Sequence, residues 1–442
     1  MATQIDQDFP PQIADDDYWV PPPEYDFDTY AMEYDPPDDV SDPSPVQNSA
    51  APASTPKAGA WADDTFWKAR PFLEQIRESA YREINSPWAV LGAVLARVGA
   101  SVPSNVVLGK TTKSHGSLNL LVALVGESGA GKDTAISLAR DILPKTVEET
   151  PEFPVGSGAG IAAIFGEREK VGTHYVTVRT RENAIVKASE VSALEKLEGG
   201  GDNLQEQLRI AYSGDILGGQ FKTRDRNLQI PAGEYRLSLV VGVQPKLSNA
   251  LLNEKQAAGG TPQRLIWMNA HDAGASADAV NNLKISPLAW DPKQLLYKNR
   301  SIASYSGATI EIQVCDTAVK TVLDAQVAVQ RREADALDTH SLFTRLKVAG
   351  ILALLDNRFD IDDEDWSLSG VIMEHSNATR EWCQRELDRP TGPTPASLVR
   401  CAPGDGPIRL KSPQGSAKTA VASTLLNSRG TVPLHLSQPK KG

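Results

Sequence analysis

The segment Gly126-Glu127-Ser128-Gly129-Ala130-Gly131-Lys132-Asp133-Thr134 lies between an apolar run, Leu118 to Val125, and an amphipathic stretch, Thr134 to Leu143. Strand, glycine-rich turn and helix in that order build a phosphate cradle. Main-chain N–H groups line the turn, the positive end of the helix faces it, and one lysine adds a mobile charge. Gly126, Gly129 and Gly131 let the backbone curl around phosphate with no Cβ in the way, and Lys132 is placed to reach β and γ oxygens. All nine residues are candidate contacts for a nucleotide, with ATP the expected ligand. One position departs from the usual pattern. Asp133 stands where a Mg²⁺-holding Ser or Thr normally follows the lysine, with Thr134 one place later, so Asp133 and Thr134 are the candidate metal ligands. The plainer alternative is a glycine-rich strand-to-helix turn with an incidental lysine.

At 442 residues the chain exceeds one average domain, and 40% hydrophobic residues suffice for a substantial core. No 18-residue apolar run exists and the N-terminus carries no basic-plus-apolar signal, so a cytoplasmic protein without a membrane partner is expected. Cys315, Cys383 and Cys401 are isolated and read as reduced thiols. The net charge of −11 is unevenly spread: residues 1 to 50 hold thirteen Asp or Glu and no Lys or Arg, which leaves the remainder near neutral. After Pro390 there are seven Lys or Arg against one acid, Asp405. An acidic head, a near-neutral body and a basic tail are compatible with nucleic-acid binding despite the low overall pI.

Five regions follow from these patterns. Residues 1–60 are Pro-, Asp- and Ser-rich and are expected to be disordered. Tyr18, Trp19, Tyr25, Phe27, Tyr30 and Tyr34 sit among their acids, as in a peptide that imitates single-stranded nucleic acid or merely solvates the chain. Residues 61–115 read as a helical lead-in, with Ser86-Pro87 opening a helix that reaches about Val98, followed by a short strand at Val106 to Leu108. Residues 116–275 read as an α/β core with a mainly parallel sheet. In it Tyr175 to Arg179, Ala184 to Ala188 and Tyr235 to Val243 are strands and Asn203 to Tyr212 a helix. Residues 276–390 read as a separate helical domain, with helices over Ala318 to Ala336, His340 to Leu355 and Asp363 to Leu387. Residues 391–442 are a basic, Pro-, Gly- and Ser-rich tail.

Hydrolysis needs more than a cradle: a carboxylate to orient water, a polar strand-end group to sense the γ-phosphate, and a cation for the transition state. Glu190 ends the apolar segment from Ala184, with Ser189 where a metal-orienting Asp is usual. Gln244 closes Leu237 to Val243. Arg264 is the leading arginine finger and Arg209 the second. Lys132, Glu190, Gln244 and Arg264 are therefore the candidate catalytic set. The dull alternatives are a solvated acid, a turn cap before Pro245 and a structural ion pair.

Ser117-Leu118-Asn119, Leu208-Arg209-Ile210-Ala211-Tyr212-Ser213-Gly214, Tyr235-Arg236-Leu237, Gly242-Val243-Gln244-Pro245 and Gly260-Thr261-Pro262-Gln263-Arg264 occur in one order. With the glycine-rich loop, this series resembles a family of P-loop ATPases of bacterial mobile elements and phages, often joined to a primase-polymerase domain and replicative helicase-like. The similarity covers roughly residues 65 to 390. It implies a RecA-like or AAA-like ATPase acting on single-stranded or forked DNA as a homo-oligomer, with Lys132 and Glu190 at the nucleotide, Mg²⁺ as cofactor, and any primase on another chain. Asp133 and Ser189 depart from the pattern exactly where Mg²⁺ is managed.

Lys222, Arg224 and Arg226, and Arg179 with Arg181 on a hairpin, are candidate nucleic-acid contacts or solvated faces. Two rivals stand beside a helicase- or translocase-like enzyme. Ser-Gly-Ala-Gly-Lys-Asp-Thr is similar to the loop of P-loop nucleotide kinases, and an ATP-switched loader or assembly factor needs no translocation.

Overall fold

A computed structural model describes residues 64–111, 114–144, 150–198, 203–219, 227–280, 285–290 and 309–389. The segments 1–60 and 391–442 and the Lys222, Arg224 and Arg226 run lie outside the described residues.

Helices α1 (Asp64–Lys68), α2 (Pro71–Arg82) and α3 (Pro87–Ser101) precede β1 (Val106–Leu108) and β2 (Leu120–Val125). After the glycine-rich loop come α4 (Lys132–Asp141), β3 (Glu152–Pro154), α5 (Gly158–Ala163), the pair β4 (Gly166–Val171) and β5 (His174–Arg179), and β6 (Asn183–Ala188). Then follow α6 (Ser192–Glu198), α7 (Leu204–Ser213), β7 (Leu217–Gly218), β8 (Gln229–Ile230) and β9 (Arg236–Val243). Short helices at Asn249–Leu252, Glu254–Ala258 and Thr261–Arg264 lead into β10 (Leu265–Asn269). The chain continues through β11 (Ile310–Val314), α8 (Asp316–Gln330), α9 (Ala336–Leu355), β12 (Asp360–Ile361) and α10 (Asp363–Asp388).

The architecture is α/β, built on a five-stranded sheet of order β10-β2-β9-β6-β3 in which every neighbouring pair is parallel. Strands buried on both faces need no alternation of polar residues, and β2 and β9 are buried along their whole length. Successive side chains still go to opposite layers. Leu120, Val122 and Leu124 join the core that contains α3, whereas Leu121, Ala123 and Val125 join the one that contains α7. Helix α3 is apolar nearly all round and correspondingly buried from Pro87 to Ala100. Within the expected helical segment 276–390, α9 and α10 contribute Leu346, Ile351, Leu352, Trp366 and Ile372 to that same core.

Five elements differ from the sequence reading. The edge strands β3 and β10 complete the sheet on either side, and β11 places a strand where only helices were expected, in a small parallel sheet of order β1-β11-β12. Tyr175 to Arg179 is a strand, but it pairs antiparallel with β4 in a hairpin and takes no part in the parallel sheet. Helix α8 stops at Gln330, and Arg332 takes a left-handed φ of 59°.

Two buried cations tie the sheet to its surroundings without any carboxylate. Arg236 donates to the carbonyls of Val102, Pro103 (2.8 Å), Ser104 (3.1 Å) and Val106, and to Ser117 Oγ (3.2 Å). Lys347 donates to the carbonyls of Asn119 (2.7 Å) and Tyr212, with its ammonium 3.5 Å from the centre of the Tyr212 ring. Carbonyl dipoles and a π face replace the water these charges lose. Burial holds Arg236 at about 10 and Lys347 well below the usual lysine range.

His375 on α10 is 4% exposed, stacks on Trp88 with 4.0 Å between ring centres, and accepts the Asn269 main-chain N–H (3.2 Å) at the end of β10. Burial pushes its pKa down to about 3. The neutral ring is the folded form, so stability is complete above the unfolded value near 6.5 and drains away as pH falls toward 3. Urea titrations should therefore show a loss of about 2 kcal/mol between pH 7 and pH 5 from this group. His375→Gln should flatten that slope, and an unchanged slope would refute the assignment.

Candidate functional site

Parallel pairing brings three strand ends to one edge of the sheet. Val125 of β2 lies opposite Val243 of β9, and Ala188 of β6 opposite Val241, so the chain leaves all three strands at nearly one level. The Gly126 N–H donates to the Val243 carbonyl (2.9 Å) and carries the ladder into the loop. Gly129 and Gly131 then take left-handed φ values of 83° and 81°, which only glycine adopts without strain. Gly131 caps α4, whose first residue is Lys132.

At the loop is a cleft of about 320 Å³ lined by Ser128 to Thr134 together with Ser189, Glu190, Gly242 and Gln244. The structure thus brings together seven of the nine loop residues with Glu190 and Gln244. Lys132 curls back over its own loop and donates to the carbonyls of Gly126 and Glu127, both at 2.7 Å. Burial lowers its pKa, against the opposing pull of Asp133, Glu127 and Glu190. Glu190 accepts a bond from Ser192 Oγ (3.3 Å) and is otherwise exposed. Gln244 precedes a short 3₁₀ turn, Pro245–Leu247, but its side chain does not cap it.

The rest of the set is placed differently. Glu127 turns away from the cleft to His271, with Oε2 2.6 Å from Nε2, and its carboxyl is held below the usual range first by its own main-chain N–H and then by His271. Thr134 Oγ1 is 2.7 Å from both Asn85 Oδ1 and the Gly131 carbonyl. Arg264 does not line the cleft. Its guanidinium donates to the Gly259 carbonyl (2.7 Å), lies 2.9 Å from His340 Nε2 and sits over the Tyr212 ring. Arg209 bonds Gln256 Oε1 (3.1 Å) and Thr261 Oγ1 (3.0 Å). The two hairpin cations are also engaged: Arg179 pairs with Glu234 (3.0 Å), and Arg181 donates to the Ile164 carbonyl and lies over Phe153.

Asn85 and His271 were not anticipated as loop supports. Each meets the loop across a long stretch of sequence, from the α2–α3 turn and from the end of β10, and no local motif signals such a contact.

Chemically, a recess with a glycine-rich loop, a helix N-terminus and a lysine suits a polyanion, while the Glu190 carboxylate in the same cleft suits proton handling. The oxygens of Asp133, Thr134 and Glu190 are hard donors, which fits Mg²⁺. Among the described residues no three His, Cys, Asp or Glu side chains converge on one point, so such an ion would depend on ligand oxygens and water for the rest of its shell. The sequence matches no family model and no curated protein.

Gly242 is the tightest point of the site. A Cβ there would lie 2.2 Å from the Ser189 carbonyl oxygen and 3.4 Å from Lys132 Cε. Backbone cannot yield as a side-chain tip can. Gly242→Ala should therefore cost about 1–3 kcal/mol in urea unfolding, by pushing the Ser189-Glu190 segment off β9. Wild-type stability in that variant would show the strands to be further apart.

Proposed function

We propose that the chain is a P-loop ATPase that works on DNA as a helicase- or translocase-like replication protein. The observation that carries the ATPase reading is the convergence of Lys132, Glu190 and Gln244 on one cleft, each from a different strand end. In this reading the loop N–H groups and Lys132 grip the triphosphate, with Lys132 exchanging its two carbonyl partners for phosphate oxygens. Glu190 orients and deprotonates the attacking water, and Gln244 contacts the γ-phosphate between them. Mg²⁺ supplies charge neutralisation at the β and γ oxygens when bound, and Asp133 or Thr134 would hold it.

The length of the chain and the Glu190 and Gln244 that follow the loop favour this reading over a nucleotide kinase, and both residues line the cleft, leaving β6 and β9. The DNA partner and association into a homo-oligomer alongside a separate primase come from the resemblance of the motif series, and a cytoplasmic setting from the isolated cysteines. Because Arg264 does not line the cleft of its own chain, a finger role for it requires a second copy.

Isothermal titration with ATP and Mg²⁺, followed by turnover with and without single-stranded DNA, tests the proposal. Lys132→Ala should weaken ATP binding roughly 10- to 100-fold, the loss of a charge-assisted contact. Glu190→Gln should keep ATP affinity and lose turnover by about 100-fold or more. Absence of ATP binding by the folded wild-type chain would end the reading. DNA-independent slow turnover would favour an ATP-switched loader, and conversion of nucleoside monophosphates to diphosphates a kinase.

A further inference from the structure

The hairpin β4–β5 plays no part in the cleft, and every residue from Glu169 to Val176 is exposed. Val171 pairs with His174, which leaves Gly172-Thr173 as a two-residue turn with Gly172 at φ 62°. That turn fixes the register and with it the distribution of charge. Residues directly opposite in an antiparallel pair share a face, and successive residues alternate. One face takes Arg168 with Thr177, Lys170 with Tyr175, and Arg179 at the base. The other takes Glu167 with Val178, Glu169 with Val176, and Val171 with His174.

Cations and acids are thus fully sorted. Opposite charges set across from one another would stabilise the hairpin, yet no cation here stands opposite an acid. Its own stability does not explain the arrangement. Arg168 donates to Thr177 Oγ1 and to the Tyr175 carbonyl, both at 2.8 Å, which lays its guanidinium along the basic face. Arg179 is paired with Glu234, so Lys170 is the exposed cation of this face and the half-buried Arg168 guanidinium lies beside it, with Tyr175 37% exposed across from Lys170. Two cations about 7 Å apart along a strand, with an exposed aromatic ring on the same face, match a chain of phosphates that carries stackable bases.

We propose that this face binds single-stranded DNA, with Arg168 and Lys170 on neighbouring phosphates and the Tyr175 ring stacked on a base. The choice of DNA rests on the functional reading above, whereas the site is independent of the nucleotide cleft. The test is fluorescence anisotropy of the full chain with a labelled oligothymidine of about 20 nucleotides, a length that exceeds the site of one such face. Exchanging Glu169→Lys with Lys170→Glu moves one charge to the opposite face at constant net charge. It should weaken binding roughly tenfold and reduce the salt slope by about one. Tyr175→Ala should weaken it by a similar factor with the slope unchanged.

Wild-type affinity in both variants overturns the proposal. So does a wild-type chain that binds ATP but no oligonucleotide, which leaves the ATPase reading intact. Oligonucleotide binding that both variants weaken, in a chain that binds no ATP, supports the hairpin and removes the ATPase. Tighter binding of duplex DNA, of the matching RNA or of an acidic peptide at the same face overturns the assignment of the partner.

Discussion

Parallel pairing of β9 between β2 and β6 determines how far each strand end projects, and the cleft depends on that spacing. Since Val243 is level with Val125 and Val241 with Ala188, the loop begins beside Gln244, and Ser189 lies beside Gly242, two residues below. Lys132 and Glu190 are then brought to one cleft by main-chain hydrogen bonds, which do not change when side chains do. Gly242 is where the spacing becomes critical, because there the approach of two strands leaves no room for even one carbon. The strand without a catalytic acid thus does as much to shape the site as the two that carry the lysine and the glutamate.

The three strands are held firmly at their other ends. The Leu237 N–H donates to Asn119 Oδ1, Asn183 Nδ2 donates to the Ala100 and Val102 carbonyls, and Arg236 gathers the α3–β1 connection. Asn119 also bonds the Ala211 carbonyl, and Lys347 joins Asn119 to Tyr212. Ser117 to Asn119, Tyr212 and Arg236, all members of the motif series in the sequence, therefore belong to the scaffold and not to the cleft. Only the loop, Gly242 and Gln244 in that series reach it. Rigidity at the strand starts and polar groups at the strand ends is the division of labour expected of an open parallel sheet.

What the sequence revealed followed what is local in it. The loop, α4, β6 and β9 were legible because each is a continuous apolar run or a glycine pattern whose neighbours agree with it. β10 was not, because Leu265 to Met268 is short and lies directly after Arg264, a residue that drew attention as a possible finger. Its role as a sheet edge comes from pairing with β2, more than 130 residues earlier. β5 was legible as a strand and Arg179 as part of a hairpin, but the partner strand β4 was not, because Glu167 to Lys170 lacks the apolar alternation that marks a buried strand. Arg264 illustrates the converse. Its position in a motif suggested chemistry, but the Gly259 carbonyl and His340 occupy its donors within the chain.

Charge tells the same story at two places in opposite ways. In the interior, Arg236 and Lys347 form no ion pair among the described residues, and a buried cation of this kind persists only where carbonyl dipoles take over from water. Those bonds fix where helix α9 and the α3–β1 connection can sit. On the β4–β5 hairpin, water is plentiful and an exposed cation with no acid opposite it costs little, so Lys170 places no demand on folding. A charge pattern that folding does not require, on an element that the sheet does not need, is where a contact with another molecule is most economically placed.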